Sequence, residues 1–157
     1  MRARRFDGQL ITLSTHSVSI FRFVVSGLIA LSVGCSSSPT GPSNTPPFSQ
    51  TDLRVGTGTV AAAGQTLTVN YTGWFYDASQ PDKKGLSFDS TVGKAPFTFT
   101  LGVQQVIRGW DEGLPGMQVG GLRRLVIPPS LAYGSTRSGS IPPNTTLLFD
   151  IELLDAQ

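Results

Sequence analysis

The chain of 157 residues contains one cysteine and one histidine, Cys35 and His16, and both precede the part of the sequence in which globular patterns begin. Nucleophilic triads need a base beside serine or cysteine, and zinc sites mostly use cysteine and histidine. Neither kind of site can be built in the globular part, and no intrachain disulfide can form. The phosphate-binding patterns GxGxxG and GxxxxGK[ST] are also absent from the sequence. We therefore expect no metal and no cofactor, and any activity must come from residues without an obvious reactive group.

Positive charge is sparse outside the N-terminal segment. Four arginines lie before residue 48, and the rest of the chain carries eight basic and nine acidic residues. Within that part Arg123 and Arg124 are the only adjacent arginines, and a pair of this kind in a strand is typical of a solvated face. We therefore expect no binding to nucleic acid.

Residues 1–35 resemble an export signal. Residues 23–33, FVVSGLIALSV, form an apolar run that is too short to span a bilayer as a helix but matches the apolar region of a secretory signal. A single-span anchor or a misassigned start codon is the alternative. The following LSVGC resembles the lipobox of bacterial lipoproteins, which implies lipidation of Cys35 and anchoring of an exported, periplasmic or extracytoplasmic protein to a membrane. An ordinary cleaved signal is the alternative to lipidation.

Residues 36–48 are expected to form a flexible tether. The stretch SSSPTGPSNTPP has no charge and no aliphatic side chain, so it cannot bury enough apolar surface to order itself. Residues 49–157 are expected to form one folded domain.

Apolar residues in this domain recur mostly with a period of two, which predicts strands. The predicted strands cover residues 66–76, 95–101, 121–127 and 145–154, and only residues 105–117 have a helical pattern. The combination predicts an α+β fold in which one short helix covers a face of an antiparallel sheet.

Four stretches then resemble, in order, the macrolide-binding family of FKBP-type peptidyl-prolyl isomerases. They are VNYTGWFYD (69–77), FDST (88–91), PFTFTLGVQQVIRGWDEGLPGMQVG (96–120) and IPPSLAYGSTRSGSIPPNTTLLFDIELL (127–154). Taken singly, the aromatic residues in them would be ordinary strand core, and IPP a rigid turn. Together they imply an antiparallel sheet half-wrapped around a short helix, with an apolar pocket between the two. The implied activity is rotation about X-Pro bonds, which would assist folding of envelope or secreted proteins.

The resemblance implies a catalytic set of four residues: Tyr71, Asp89, Phe99 and Tyr133. The hydroxyl of Tyr133 is the expected donor to a substrate carbonyl. Asp89 either acts electrostatically on the twisted carbonyl or fixes Tyr71 through a hydrogen bond, and the sequence leaves both alternatives open.

The resemblance also implies a set of substrate-binding residues, in which Trp110 forms the floor, the backbone N–H of Ile107 is a donor and Ile141 is an apolar flap. The full set is Phe88, Phe97, Val106, Ile107, Trp110, Ile141 and Phe149. Gly109 and Gly113 would keep the helix close to the sheet, and Asp111 and Glu112 are expected to face solvent.

The sequence departs from the family pattern at several loops. Gln105 replaces a glutamate of many relatives, and the loop before Phe97 offers Lys94 but no arginine to pair with Asp89. These changes bear on peptide preference and macrolide affinity. The expected partners are proline-containing polypeptides and macrolide inhibitors, and the protein is expected to be a monomer. The alternatives to an enzyme are a non-catalytic proline-peptide binding or chaperone module of the same fold and a purely structural lipoprotein.

Overall fold

The computed structural model describes residues 45–157, so the export-signal segment, Cys35 and the tether up to residue 44 lie outside the described residues. The described part contains six strands, one α-helix and one 3₁₀ turn. They are β1 (Ser49–Arg54), β2 (Thr66–Tyr76), β3 (Lys84–Ser90), β4 (Phe97–Thr100), α1 (Arg108–Gly113), β5 (Leu122–Ile127), the 3₁₀ turn (Pro129–Leu131) and β6 (Leu147–Ala156). Within residues 45–157 no helix has the length and apolar character needed to cross a membrane.

The strands form one antiparallel sheet in the order β1-β5-β6-β2-β3, and β4 pairs with the other end of β2. Consequently β3 and β4 lie beside the same strand, and the chain between them leaves the sheet. The predicted α+β class is confirmed, and so are the four predicted strands. The strands β1 and β3 were not predicted, and the helix is shorter than residues 105–117.

The core lies between one face of the sheet and α1. In β5 burial alternates with a period of two, so that Leu125 and Ile127 are fully buried on the face toward the helix. From the helix side Trp110 and Leu114 close this core. Burial of such side chains contributes about 1.5–3 kcal/mol each, which makes this interface the main support of a helix only six residues long.

Two glycines let the helix approach the sheet closely. A Cβ at Gly109 would lie 2.4 Å from Cγ2 of Ile127, and a Cβ at Gly113 would lie 2.8 Å from Cδ2 of Leu125. Both separations are below van der Waals contact, so any larger residue would push the helix outward. The prediction that these glycines keep the helix close to the sheet is confirmed.

The prediction of a solvated arginine pair is wrong for Arg123, which is only 5% exposed. Its Nε donates to Oδ1 of Asp52 in β1 at 2.6 Å, and its Nη1 donates to the carbonyl oxygens of Gly113 and Pro115 at 2.8 and 3.2 Å. Those carbonyls belong to the end of α1, where helical hydrogen bonds run out. Arg123 therefore joins β1, β5 and the helix end.

Arg124 points to the other face of the sheet and is paired there. Its Nε donates to Oδ1 of Asp150 at 2.7 Å, and Nζ of Lys84 lies 2.8 Å from the second carboxylate oxygen. Burial, the largest single influence, would raise the pKa of Asp150, but the hydrogen bonds from Arg124 and Lys84 together outweigh it and lower that pKa. Lys84 also lies over the ring of Trp74, with Nζ 4.1 Å from its centroid.

Candidate active site

A pocket of about 190 Å³ opens beside the N-terminal end of α1. Its walls come from β2, β3, β4 and β6, from the loop before the helix and from the loop after the 3₁₀ turn. Nine of the eleven residues implied by the family resemblance line it, together with one that was not in that set, Gln105. The lining residues are Tyr71, Phe88, Asp89, Phe97, Gln105, Val106, Ile107, Trp110, Tyr133 and Phe149.

Aromatic rings form the deep part of the pocket. The Trp110 ring meets the rings of Tyr71 and Phe149 edge-on, with centroids 5.2 and 5.3 Å apart. The ring of Phe97 lies 6.1 Å from that of Tyr71 and 6.3 Å from that of Trp110. Phe88 closes the far side, 5.6 Å from Phe149. Edge-to-face pairs of this kind are mutually favourable and fix ring orientation, so the cavity has a defined apolar shape.

One wall carries a tyrosine and a carboxylate in direct contact. The Tyr71 hydroxyl donates to Oδ2 of Asp89 at 2.5 Å, so the contact required by one of the two alternatives for Asp89 is present. Burial, followed by the hydrogen bond to Asp89, raises the pKa of Tyr71 well above its usual value. The buried Thr91 supports the same wall, because its Oγ1 accepts the Tyr71 backbone N–H at 2.9 Å and its own N–H donates to the Tyr71 carbonyl at 3.0 Å.

A lysine stands beside the carboxylate where the sequence offers no arginine. Nζ of Lys94 lies 3.7 Å from Oδ1 of Asp89, and both side chains are largely exposed, at 67% and 47%. Exposed ion pairs contribute at most about 1 kcal/mol, so Lys94 holds the carboxylate only weakly compared with the Tyr71 hydroxyl.

The rim of the pocket offers two hydrogen-bond donors. Ile107 is the N-cap of α1 with an extended backbone, and its N–H has no acceptor among residues 45–157. Tyr133 is 38% exposed as a residue, and its hydroxyl has no hydrogen-bond partner among residues 45–157. Both donors are therefore open to a carbonyl of a bound peptide.

Two of the predicted residues do not line the pocket. Phe99 is 4% exposed and lies behind Phe97, with the two rings stacked 5.5 Å apart, because residues two apart in β4 face the same side at different depths. Ile141 is 7% exposed and belongs to the core cluster, with its N–H and carbonyl both bonded to Ser138. In this structure Phe99 and Ile141 therefore belong to the core beside the pocket and not to its lining, and their implied roles toward substrate stay predictions.

Gln105 was not implied as a lining residue, although it lies within the family-like stretch of residues 96–120 and departs there from the family pattern. Its Oε1 accepts the backbone N–H of Thr100 at 2.8 Å, so the side chain ties the loop before the helix to the end of β4. No periodic pattern signals such a contact, since it depends on the course of the loop.

Comparisons with known proteins agree with this architecture. Residues 58–154 match the family described as FKBP-type peptidyl-prolyl cis-trans isomerase. An FK506-binding protein of Neisseria meningitidis serogroup A is 48% identical over 105 residues, covering 66% of this chain and 90% of that protein. FK506-binding protein 1B of Neurospora crassa is 46% identical over 103 residues, covering 65% of this chain and 91% of the relative.

Solved structures show the same fold. FkpA from Escherichia coli aligns with a TM-score of 0.61 and 40% identity over 70% of this chain, and the match spans 48% of the FkpA chain. AtFKBP13 aligns with a TM-score of 0.58 and 39% identity over 70% of this chain and 93% of its own.

The antiparallel sheet, the short helix packed on one of its faces and the aromatic pocket are those of the FKBP class of isomerases. The chain belongs to the family of FKBP-type peptidyl-prolyl cis-trans isomerases. Its reaction is accordingly rotation about X-Pro peptide bonds. Members of this family bind proline-containing peptides and FK506-type ligands.

Proposed function

We propose that the aromatic pocket is the site at which this isomerase binds proline and accelerates its rotation. Amide resonance sets a barrier of about 18–20 kcal/mol to uncatalysed rotation, and no covalent bond has to break. The twisted amide has less double-bond character and a less polar carbonyl than the planar one. An apolar cavity therefore disfavours the planar ground state more than the transition state, which is catalysis by differential binding.

The proposal rests on one observation, a contiguous cluster of aromatic side chains with open donors at the mouth of the cavity. In this hypothesis Trp110 forms the floor under the proline ring, and Tyr71 and Phe149 form its sides. The indole N–H of Trp110 is buried and has no partner among residues 45–157. Since that nitrogen is buried, the indole would serve the proposed site through its ring and not through its N–H.

The polar groups at the mouth would orient the peptide. The N–H of Ile107 and the hydroxyl of Tyr133 would donate to carbonyls that flank the proline. Asp89 is occupied by the Tyr71 hydroxyl, and this contact supports a role in holding the tyrosine ring in place. The alternative, an electrostatic action on the twisted carbonyl, remains a prediction.

The test is a protease-coupled isomerisation assay on a proline tetrapeptide. We expect Asp89→Asn and Tyr133→Phe each to lower kcat/KM by about tenfold or more, consistent with the loss of a positioned hydrogen bond. Matched controls are Asp155→Asn and Tyr76→Phe, since neither residue lines the pocket. Unchanged rates in both pocket variants would refute the assignment of this pocket as the catalytic site, but they would not contradict the reaction that family membership gives.

The same assay addresses the binding-module alternative. A module that only holds proline-bearing partners would bind the tetrapeptide without accelerating its cis-trans conversion. Binding of an FK506-type macrolide, which we also propose for this pocket, would be measured by quenching of Trp110 fluorescence. Turnover that the macrolide inhibits is the expected result.

We also propose that the protein acts outside the cytoplasm as a monomer, anchored to a membrane through lipidated Cys35. The apolar run of residues 23–33, the lipobox-like LSVGC and the Ser/Pro-rich tether support this location. Residues 36–48 would hold the domain of residues 49–157 away from the membrane surface, where it would assist folding of envelope or secreted proteins. Palmitate labelling of the full chain and of Cys35→Ala tests the anchor, and equal labelling would refute it.

A further inference from the structure

The loop between β4 and α1 contains two residues in a left-handed backbone conformation. Gly102 has φ of 81° and Gln104 has φ of 62°. The left-handed region is open to glycine but costs a residue with a side chain about 1 kcal/mol or more. Three residues after Gln104 the same loop delivers Ile107 to the pocket rim.

One carboxylate holds both left-handed residues. Oδ1 of Asp111 accepts the Gly102 N–H at 2.8 Å, and Oδ2 accepts the Gln104 N–H at 3.1 Å. Asp111 is therefore half-buried with its carboxylate engaged by the loop, whereas the sequence suggested a side chain on the solvent side. Its neighbour Glu112 is exposed, and within residues 45–157 it accepts only from Arg108 on the same helix, at 2.9 Å.

The contact joins the pocket floor to the pocket rim. Asp111 directly follows Trp110 in the helix, and the loop it binds carries the lining residues Gln105, Val106 and Ile107. Hydrogen bonds from backbone N–H groups to a charged acceptor are stronger than neutral ones, so two of them on one carboxylate fix the loop relative to the helix. These two hydrogen bonds thereby fix the distance between the indole of Trp110 and the open N–H of Ile107.

We propose that Asp111 is a positioning residue of the isomerase, which sets the rim of the pocket relative to its floor without contacting substrate. This inference rests on the proposed assignment of the pocket as the site of proline binding. It predicts that loss of the carboxylate weakens peptide binding more than it weakens the fold.

The experiment compares Asp111→Ala, Asp111→Asn and the control Glu112→Ala in the full chain. For Asp111→Ala we expect KM for the tetrapeptide to rise about fivefold and kcat/KM to fall about tenfold, with less loss for Asp111→Asn, whose single carbonyl can accept one of the two N–H groups. Glu112→Ala is expected to stay within about twofold of wild type. Thermal melts of each variant give the folded fraction, for which the rates are corrected.

Backbone amide NMR gives a second readout that does not depend on turnover. We expect the amide resonances of Gly102, Gln104 and Ile107 to shift or broaden in Asp111→Ala and to keep their positions in Glu112→Ala. An unchanged KM after correction for the folded fraction, equal losses in both alanine variants, or unperturbed loop amides would each overturn the proposal. If the wild type showed no turnover, the proposed function would fail, while the amide spectra would still decide whether Asp111 holds the rim.

Discussion

Replacement of Gly109 by alanine is the sharpest test of how the helix is seated. Alanine is a better helix former, and on propensity alone it would stabilise the protein by at most about 1 kcal/mol. The new Cβ would lie 2.4 Å from Cγ2 of Ile127, about 1 Å inside ordinary carbon contact. Ile127 is fully buried and branched at Cβ, so it cannot rotate away without strain.

We therefore expect overpacking to outweigh the gain in propensity. Overpacking of a dense core costs about 1–3 kcal/mol, and this clash belongs at the upper end because it involves a stiff branch rather than a chain end. The expected net loss for Gly109→Ala is about 2 kcal/mol in the free energy of unfolding, measured by urea denaturation with Glu112→Ala as the exposed control.

A double-mutant cycle isolates the clash. Ile127→Ala alone should cost about 2–5 kcal/mol through its cavity. In that background the Cβ at position 109 has room, so Gly109→Ala should cost nothing or stabilise slightly, with a coupling of about 2 kcal/mol. A Gly109→Ala protein as stable as wild type, or an equal loss in both backgrounds, would refute the explanation.

Three further predictions concern charged and titrating groups. Asp150→Asn should lower the free energy of unfolding at pH 7 by about 2–3 kcal/mol, because it removes the carboxylate that pairs with the partly buried Arg124 and leaves Lys84 with the more distant Asp82, 3.8 Å away. Because the folded-state pKa of Asp150 is lowered, the contribution of its carboxylate to the free energy of unfolding is present above the unfolded pKa of about 3.9 and is lost as pH falls through the folded pKa. Urea denaturation from pH 7 to pH 3 should therefore show the stabilities of wild type and Asp150→Asn converging below about pH 4. Lys94→Ala should change kcat/KM less than about twofold, and a larger loss would mean that this exposed lysine holds Asp89 more firmly than its 3.7 Å contact indicates. Ultraviolet titration of wild type and of Tyr71→Phe should show that Tyr71 is still protonated above a pH of about 10, because its pKa is raised. The contribution of the neutral hydroxyl to the free energy of unfolding is fully present below that pH and is lost as pH rises through the raised pKa.

The period-two pattern was sufficient to predict the strands that have one buried face. Leu67 and Val69 in β2 show it, as do Leu125 and Ile127 in β5. The edge strand β1, SQTDLR, has no buried residue and therefore no alternation to detect. Its place in the sheet depends on pairing with β5, which is information that the local sequence does not carry.

The burial of Arg123 is consistent with the alternating pattern of its own strand. Arg123 lies two residues before Leu125 and four before Ile127, so strand alternation places it on the buried face. A buried arginine requires partners, and these come from distant parts of the chain, Asp52 and the carbonyl of Gly113. The face could thus be predicted from the sequence, but the partners could not.

The ends of α1 depend on the backbone conformation of the flanking residues, which the hydrophobic pattern of the helix does not encode. The helical pattern covered residues 105–117, whereas the helix begins after the extended Ile107 and is followed by Gly116 at φ of 78°. The lining role of Gln105 and the contacts of Asp111 both arise from the turn before the helix. Family resemblance supplied most of the pocket residues, because it encodes spatial neighbours that periodicity does not.

A helix of six residues is far below the length at which helices are stable alone, so contacts with the rest of the protein must hold it in place. Arg123 binds carbonyls at its C-terminal end, Asp111 binds the loop at the pocket rim, and Gly109 lets its face rest directly on Ile127. The polar groups of the pocket are few, namely the Tyr71–Asp89 pair and the open donors of Ile107 and Tyr133, and the proposed catalysis depends on the fixed spacing of the rings and donors around the cavity. It follows that substitutions at these three supporting positions should alter the pocket as strongly as substitutions within it, although none of the three lines the pocket.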